Sequence, residues 1–192
     1  MNLRFLYIFM SLMAVNTATA QRVLRGDLLF HVTPKGNAIT DVTPAMIDHV
    51  AIVLNKDSVI EAVPRRGVIT TPLDSLRRQE GYYIIGRVRR ADPTLSLLNA
   101  RHYLGRPYDP FYLASGEAIY CSELVQFSFT DSQGHWLFTP VSMSFHDASG
   151  HITDYWTQFY RQHGMDVPEG QPGTNPAELS RRPNVRIVGR LH

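Results

Sequence analysis

The run His49-Val50-Ala51-Ile52-Val53-Leu54 sets the frame for this chain. It is too short for an ordinary helix. Its continuous apolar, largely β-branched side chains describe a buried strand with a histidine at its entrance. A turn cluster, Asn55-Lys56-Asp57-Ser58, leads into a second strand, Val59-Ile60-Glu61-Ala62-Val63, which Pro64 stops. Gly67 to Thr71 reads as a third strand and Tyr82 to Val88 as a further one. Arg25 to Val32 is a turn followed by a short apolar strand, and Val185 to Gly189 has the pattern of a last one. Thr43 is placed to cap a short turn or helix, Pro44 to Ile47. Helical patterns begin at Pro72, run from Thr94 to Tyr103, and return with the aromatics Tyr155, Trp156, Phe159 and Tyr160. Core filling accounts for those aromatics. Val167 to Pro176 reads as an ordered or surface loop. Strands in the middle with helices around them give an α+β class, with a mostly antiparallel sheet packed against helices.

Residues 1–20 have the form of a secretory leader. Arg4 supplies the positive end, Phe5 to Val15 the apolar stretch, and Ala18-Thr19-Ala20 the small-residue cleavage pattern. The apolar stretch is shorter than the roughly 20 residues needed to span a bilayer, so no stable membrane insertion is expected. The expectation is an exported protein, periplasmic or secreted, with residues 21–192 as a single catalytic domain. The formal net charge of +2 and scattered arginines give no basic stripe for nucleic acid. Nothing in the sequence fixes the oligomeric state.

Cys121 is the only cysteine. An exported chain with one thiol forms no internal disulfide, so the thiol calls for another explanation. It follows the turn-rich segment Gly105-Arg106-Pro107-Tyr108-Asp109-Pro110 and opens a run from Ser122 to Phe129 with apolar residues at 124, 125, 127 and 129. That is a loop delivering a thiol to a helix N-terminus. Free N–H groups and the helix dipole at such a boundary favour a thiolate, which attacks carbonyl carbon where a thiol hardly does. The competing account is a small buried hydrophobe.

A cysteine nucleophile needs a base, and the base an orienting group. His49 and Glu61 lie on two strands joined by a short turn. An odd number of loop residues, or a bulge, puts both on one face. A carboxylate among Val59, Ile60, Ala62 and Val63 is costly to bury without a partner, and a histidine is such a partner. Asp109 is the alternative orienter, although Tyr108-Asp109-Pro110 also makes an ordinary turn. Glu123, two residues past Cys121, reads as first-turn charge. His31, His102, His135, His146, His151 and His163 lack zinc-site spacings, so neither metal nor cofactor is expected.

Five short motifs occur in order: Gly26-Asp27-Leu28-Leu29-Phe30, Asp48-His49-Val50-Ala51-Ile52-Val53, Val59-Ile60-Glu61-Ala62-Val63, Gly105-Arg106-Pro107-Tyr108-Asp109 and Tyr120-Cys121-Ser122-Glu123-Leu124-Val125. Together they resemble the YiiX/YebB-like branch of the NlpC-type cysteine peptidases, whose papain-like fold is circularly permuted so that histidine precedes cysteine. The resemblance implies Cys121 as nucleophile, His49 as base and then acid, and Glu61 as orienter. It further implies an oxyanion hole near the Cys121 backbone N–H, with Tyr108 as helper and Asp109, Tyr120 and Ser122 on the substrate side. The implied substrate is a small peptide or murein fragment. Tyr120 and Glu123 stand where the usual NlpC pattern has aspartate and glycine, which leaves murein specificity open. A lipid-directed thiol acyltransferase or phospholipase, or a non-catalytic binding module, are the alternatives.

Overall fold

The structure, a computed structural model, describes residues 22–114 and 116–192. The expected leader, 1–20, lies outside the described residues. Eight strands and five helices follow in the order β1 (Leu28–Val32), β2 (Ile47–Val53), β3 (Ser58–Val63), β4 (Gly67–Pro72), α1 (Leu73–Arg77), β5 (Tyr82–Val88), α2 (Pro93–His102), α3 (Cys121–Ser128), β6 (Val141–Ser142), α4 (Asp154–Gln162), β7 (Pro172–Gly173), α5 (Pro176–Ser180) and β8 (Val185–Arg190). Six of the strands form one antiparallel sheet, in the order β4-β3-β2-β1-β5-β8.

The near-continuous apolar character of β2 follows from its place inside that sheet. Ala51, Ile52 and Val53 are fully buried, because both faces of the sheet are covered. On one face Leu28, Phe30, Val50, Ile52 and Ile60 pack with Leu97 of α2, Leu124 and Val125 of α3, and Ala177 and Leu179 of α5. On the other, Leu29, Ala51, Val53, Val59, Tyr83 and Ile85 pack with Leu73 and Leu76 of α1. Phe145, Trp156 and Tyr160 make a third cluster around α4.

The helix starts are written locally. Asp92 caps α2 by accepting from the N–H groups of Thr94 and Leu95, with Pro93 at the first position. Asn175 caps α5 in the same way, through the Glu178 N–H and with Pro176 following. By contrast α3 has Tyr120 at its N-cap and no side-chain cap. Its first N–H groups therefore have no intrahelical or capping acceptor.

Two expectations change. The segment Pro44 to Ile47 is not helical: it is irregular chain, and β2 already begins at Ile47. A bulge where β2 pairs with β1, between His31 and Val32, absorbs the extra residue. The segment from 167 to 176 is an ordered one, and part of it is regular structure and not loop. It contributes β7, pairs it with β6, and starts α5. Gly173 is required there by close packing. A Cβ on it would lie 2.3 Å from the Met143 sulfur and 3.0 Å from the Tyr120 hydroxyl.

Candidate active site

The β2–β3 hairpin positions the first two functional side chains. Val53 pairs with Val59 and Ile52 with Ile60, so five residues, 54–58, separate the last pair. Continuing that register sets Glu61 opposite Ala51, two residues from His49 on the same face. The two side chains meet, with His49 Nε2 donating to Glu61 Oε2 at 2.7 Å. Glu61 is 3% exposed. Burial pushes its carboxyl upward, but the hydrogen bond and charge of His49 outweigh this and hold it below the usual range, helped by Thr71 and Arg66.

Cys121 stands at the first position of α3. With Nε2 given to Glu61, the other ring nitrogen of His49, Nδ1, is left for the thiol, and Cys121 lies close enough to act on the imidazole. Burial pulls the imidazole down. The Cys121 and Glu61 hydrogen bonds and charges overcome that and raise His49 to about 10. The geometry thus supplies a sulfur at a helix N-terminus, a charged imidazole beside it, and a carboxylate behind the imidazole.

The remaining expected site residues fall into two groups. Tyr120 and Ser122 line the cleft and also hold its far wall: the Thr174 N–H donates to the Tyr120 hydroxyl at 3.1 Å, and the Ser122 hydroxyl donates to the Thr174 carbonyl at 3.1 Å. Tyr108 and Asp109 act one layer back. Asp109 is buried, and its carboxylate accepts from the N–H groups of Phe111 and Leu113. It is committed to the backbone, and it is Glu61 that contacts His49. The turn it holds places Tyr112 at φ 54°, in the left-handed region that a bulky residue enters only when its surroundings impose it. The Tyr108 hydroxyl meets that of Tyr112. Tyr112 is the residue that reaches the cleft, edge-on to Tyr120 and Trp156 at ring separations of 5.2 and 5.7 Å.

The sequence reading missed Tyr112 and the C-terminal wall made by Met143, Phe145, Trp156 and Asn175. The aromatics of α4 do fill a core, yet Trp156 has a second side. Its indole N–H donates to the Ala38 carbonyl at 3.0 Å, and the Tyr160 hydroxyl donates to the Phe111 carbonyl at 2.8 Å. Helix α4 therefore fastens both loops that border the cleft. Only long-range packing shows this. Asp48 also lines the cleft, next to His49 in sequence, and bonds to His31 and Asn37.

Glu123 stands in the first turn of α3, where the sequence reading puts it, but it is buried there. It is 2% exposed, with Oε2 left without a hydrogen-bond partner. Burial, then the nearby Asp109 carboxylate, push it up to about 8. An acid raised above its unfolded value of 4.5 costs stability progressively as pH rises from about 4.5 to 8. Glu123→Gln removes that cost. Its melting temperature should match wild type near pH 4 and exceed it by on the order of 5 °C near pH 8, measured by circular dichroism across that range.

A thiol on a helix N-terminus against a sheet-borne histidine–carboxylate pair is the machinery of a papain-like cysteine hydrolase. A family model described as permuted papain-like amidase enzyme, YaeF/YiiX, C92 family, matches residues 22–189, and the chain belongs to that family. The crystal structure of the metalloprotein yiiX from Escherichia coli O157:H7 has the same fold. The TM-score is 0.73 at 22% identity, covering 88% of this chain and 98% of that one. No curated protein matches. Among the described residues of this chain, no group of three or more His, Cys, Asp or Glu side chains is placed to hold a metal ion.

Proposed function

We propose that the protein is an exported cysteine amidase or peptidase that cleaves an amide bond in a small peptide or murein fragment through Cys121, His49 and Glu61. The observation that carries this reading is the 2.7 Å bond from His49 Nε2 to Glu61, which commits one imidazole nitrogen and turns the other to the thiol. Cys121 Sγ attacks the amide carbon. The oxyanion is met by N–H groups at the uncapped start of α3. His49 gives its proton to the leaving nitrogen, the C–N bond breaks, and a thioester remains. Water then attacks the thioester with His49 as base, the S–C bond breaks, and the acid leaves. Glu61 holds the imidazole in the required tautomer throughout.

The test is amine release, read by mass spectrometry, from a panel of murein peptides and peptide amides, with long-chain acyl esters as the competing class. Hydrolysis of an amide is the expected result. Exclusive turnover of acyl esters would move the protein to lipid chemistry, which the apolar side chains of the cleft admit. Among the described residues no helix is long and apolar enough to cross a membrane.

The pH profile follows from His49. A histidine raised to about 10 carries its proton through neutral pH and loses it as pH rises through that value. The leaving-group proton goes with it, so kcat/KM should fall on the alkaline side with a midpoint near 10 rather than near 6.5. Export is tested by the mature N-terminus, expected at Gln21 by intact-mass measurement of protein recovered outside the cytoplasm.

A further inference from the structure

We propose that the cleft beside Cys121 receives an acyl residue carrying a free α-ammonium and an apolar side chain, with Asp48 binding the ammonium. The inference rests on the reading of Cys121 as nucleophile and names the substrate class for it. Among the described residues that line the cleft, Asp48 is the one acidic side chain, and no lysine or arginine lines it. A carboxylate or phosphate group on the substrate meets no cation on that wall, whereas an ammonium meets an anion.

Asp48 is built to be a fixed anion. Its Oδ1 accepts from His31 Nδ1 at 2.6 Å and its Oδ2 from Asn37 Nδ2 at 2.7 Å. The His31 ring is pinned from behind by Nε2 donating to the Glu80 carbonyl at 2.7 Å. Each carboxylate oxygen has a second lone pair, so both partners together leave acceptor capacity. The side chain is 17% exposed, enough for one ligand group to reach it. Burial pushes its carboxyl up, and His31 more than reverses this.

The rest of the wall selects the side chain. Val42, Tyr112, Phe145 and Trp156 present apolar surface. Phe145 and Trp156 pack edge-on at 5.2 Å, so the surface is rigid. A neutral N-acyl group seated against Asp48 strips water from a carboxylate and returns no donor of equal strength. The same site thus favours the free amine and disfavours its blocked form.

The experiment compares two covalent probes of one shape: phenylalanine chloromethyl ketone with a free amine, and its N-acetyl derivative. Second-order labelling of Cys121 is measured by mass spectrometry at pH 6, where the amine is charged. The free-amine probe should react about 10–100-fold faster, as expected for a charge-assisted hydrogen bond. Asp48→Asn, nearly isosteric, should bring the ratio close to one. A purely structural role for Asp48 lowers both rates together and keeps the ratio, which overturns the inference. So does a wild-type ratio near one, or preference for a long-chain N-acyl probe, provided iodoacetamide still labels Cys121. Failure of all these reagents, iodoacetamide included, removes the nucleophile reading and this inference with it.

Discussion

Cys121→Ala should leave a folded protein that neither hydrolyses amides nor takes up a thiol reagent. Cys121 is the only thiol in the chain, so lost labelling has a single meaning. The side chain packs in the main core at 4% exposure. Removing one sulfur there costs on the order of 1 kcal/mol, well within the stability of a domain this size. The chemical loss is far larger. Without the nucleophile only binding and the oxyanion donors remain, and kcat should fall on the order of 10⁴–10⁶-fold. A third readout separates this from unfolding. Cys121 leads the groups that raise His49 to about 10. In the alanine variant burial opposes Glu61 alone, so the His49 titration followed by NMR should move down. Undiminished turnover in a variant that no longer labels would reduce Cys121 to a core residue.

The parts of the site that lie close in sequence were legible before the fold. His49 sits at the entrance of an apolar run and Glu61 is an acid inside another, while the shared face follows only from the pairing of Val53 with Val59, which sets the loop length. Cys121 is marked by the change from turn residues to a helical pattern. The strands of the sheet were readable for the same reason: residues 50–54, 59–63 and 82–88 are apolar enough that burial overrides other preferences. The missing parts depend on contacts across the chain. Tyr112 reaches the cleft because Asp109 holds a turn that forces it to positive φ, and no local pattern announces a tyrosine there. Trp156 lines the cleft because its indole reaches Ala38, 118 residues away. The place of Glu123 in the first turn of α3 is legible from the sequence, because helix first turns favour acids. Its burial beside Asp109 is tertiary. The segment Val167 to Pro176 carries turn residues that read as a loop, yet packing against Met143 and Tyr120 makes part of it strand.

Glu61→Gln should keep the fold and lower kcat by about 10²–10⁴-fold, with KM changed little. Glutamine is the informative substitution. Glu61→Ala would leave the charge on His49 buried without its partner, a loss of about 3–5 kcal/mol that confounds the reading. The amide of glutamine keeps the volume. It can still accept from Nε2–H through its oxygen, or it can turn and donate, which places the imidazole proton on Nδ1 beside the sulfur. The carboxylate permits only the first arrangement and also stabilises the imidazolium. Removing it takes away one of the charges that raise His49, so the alkaline limb of kcat/KM should shift to lower pH as turnover falls. Asp109→Asn gives the contrast. Asp109 accepts from the backbone around Tyr112 and reaches neither His49 nor the sulfur by a hydrogen bond of its own. Its replacement should lower the melting temperature and weaken binding while the His49 limb stays in place. Measuring kcat, KM and the pH profile of both variants on one substrate decides the matter. Near wild-type turnover in Glu61→Gln, with the loss and the shifted limb in Asp109→Asn, would transfer the orienting role to Asp109.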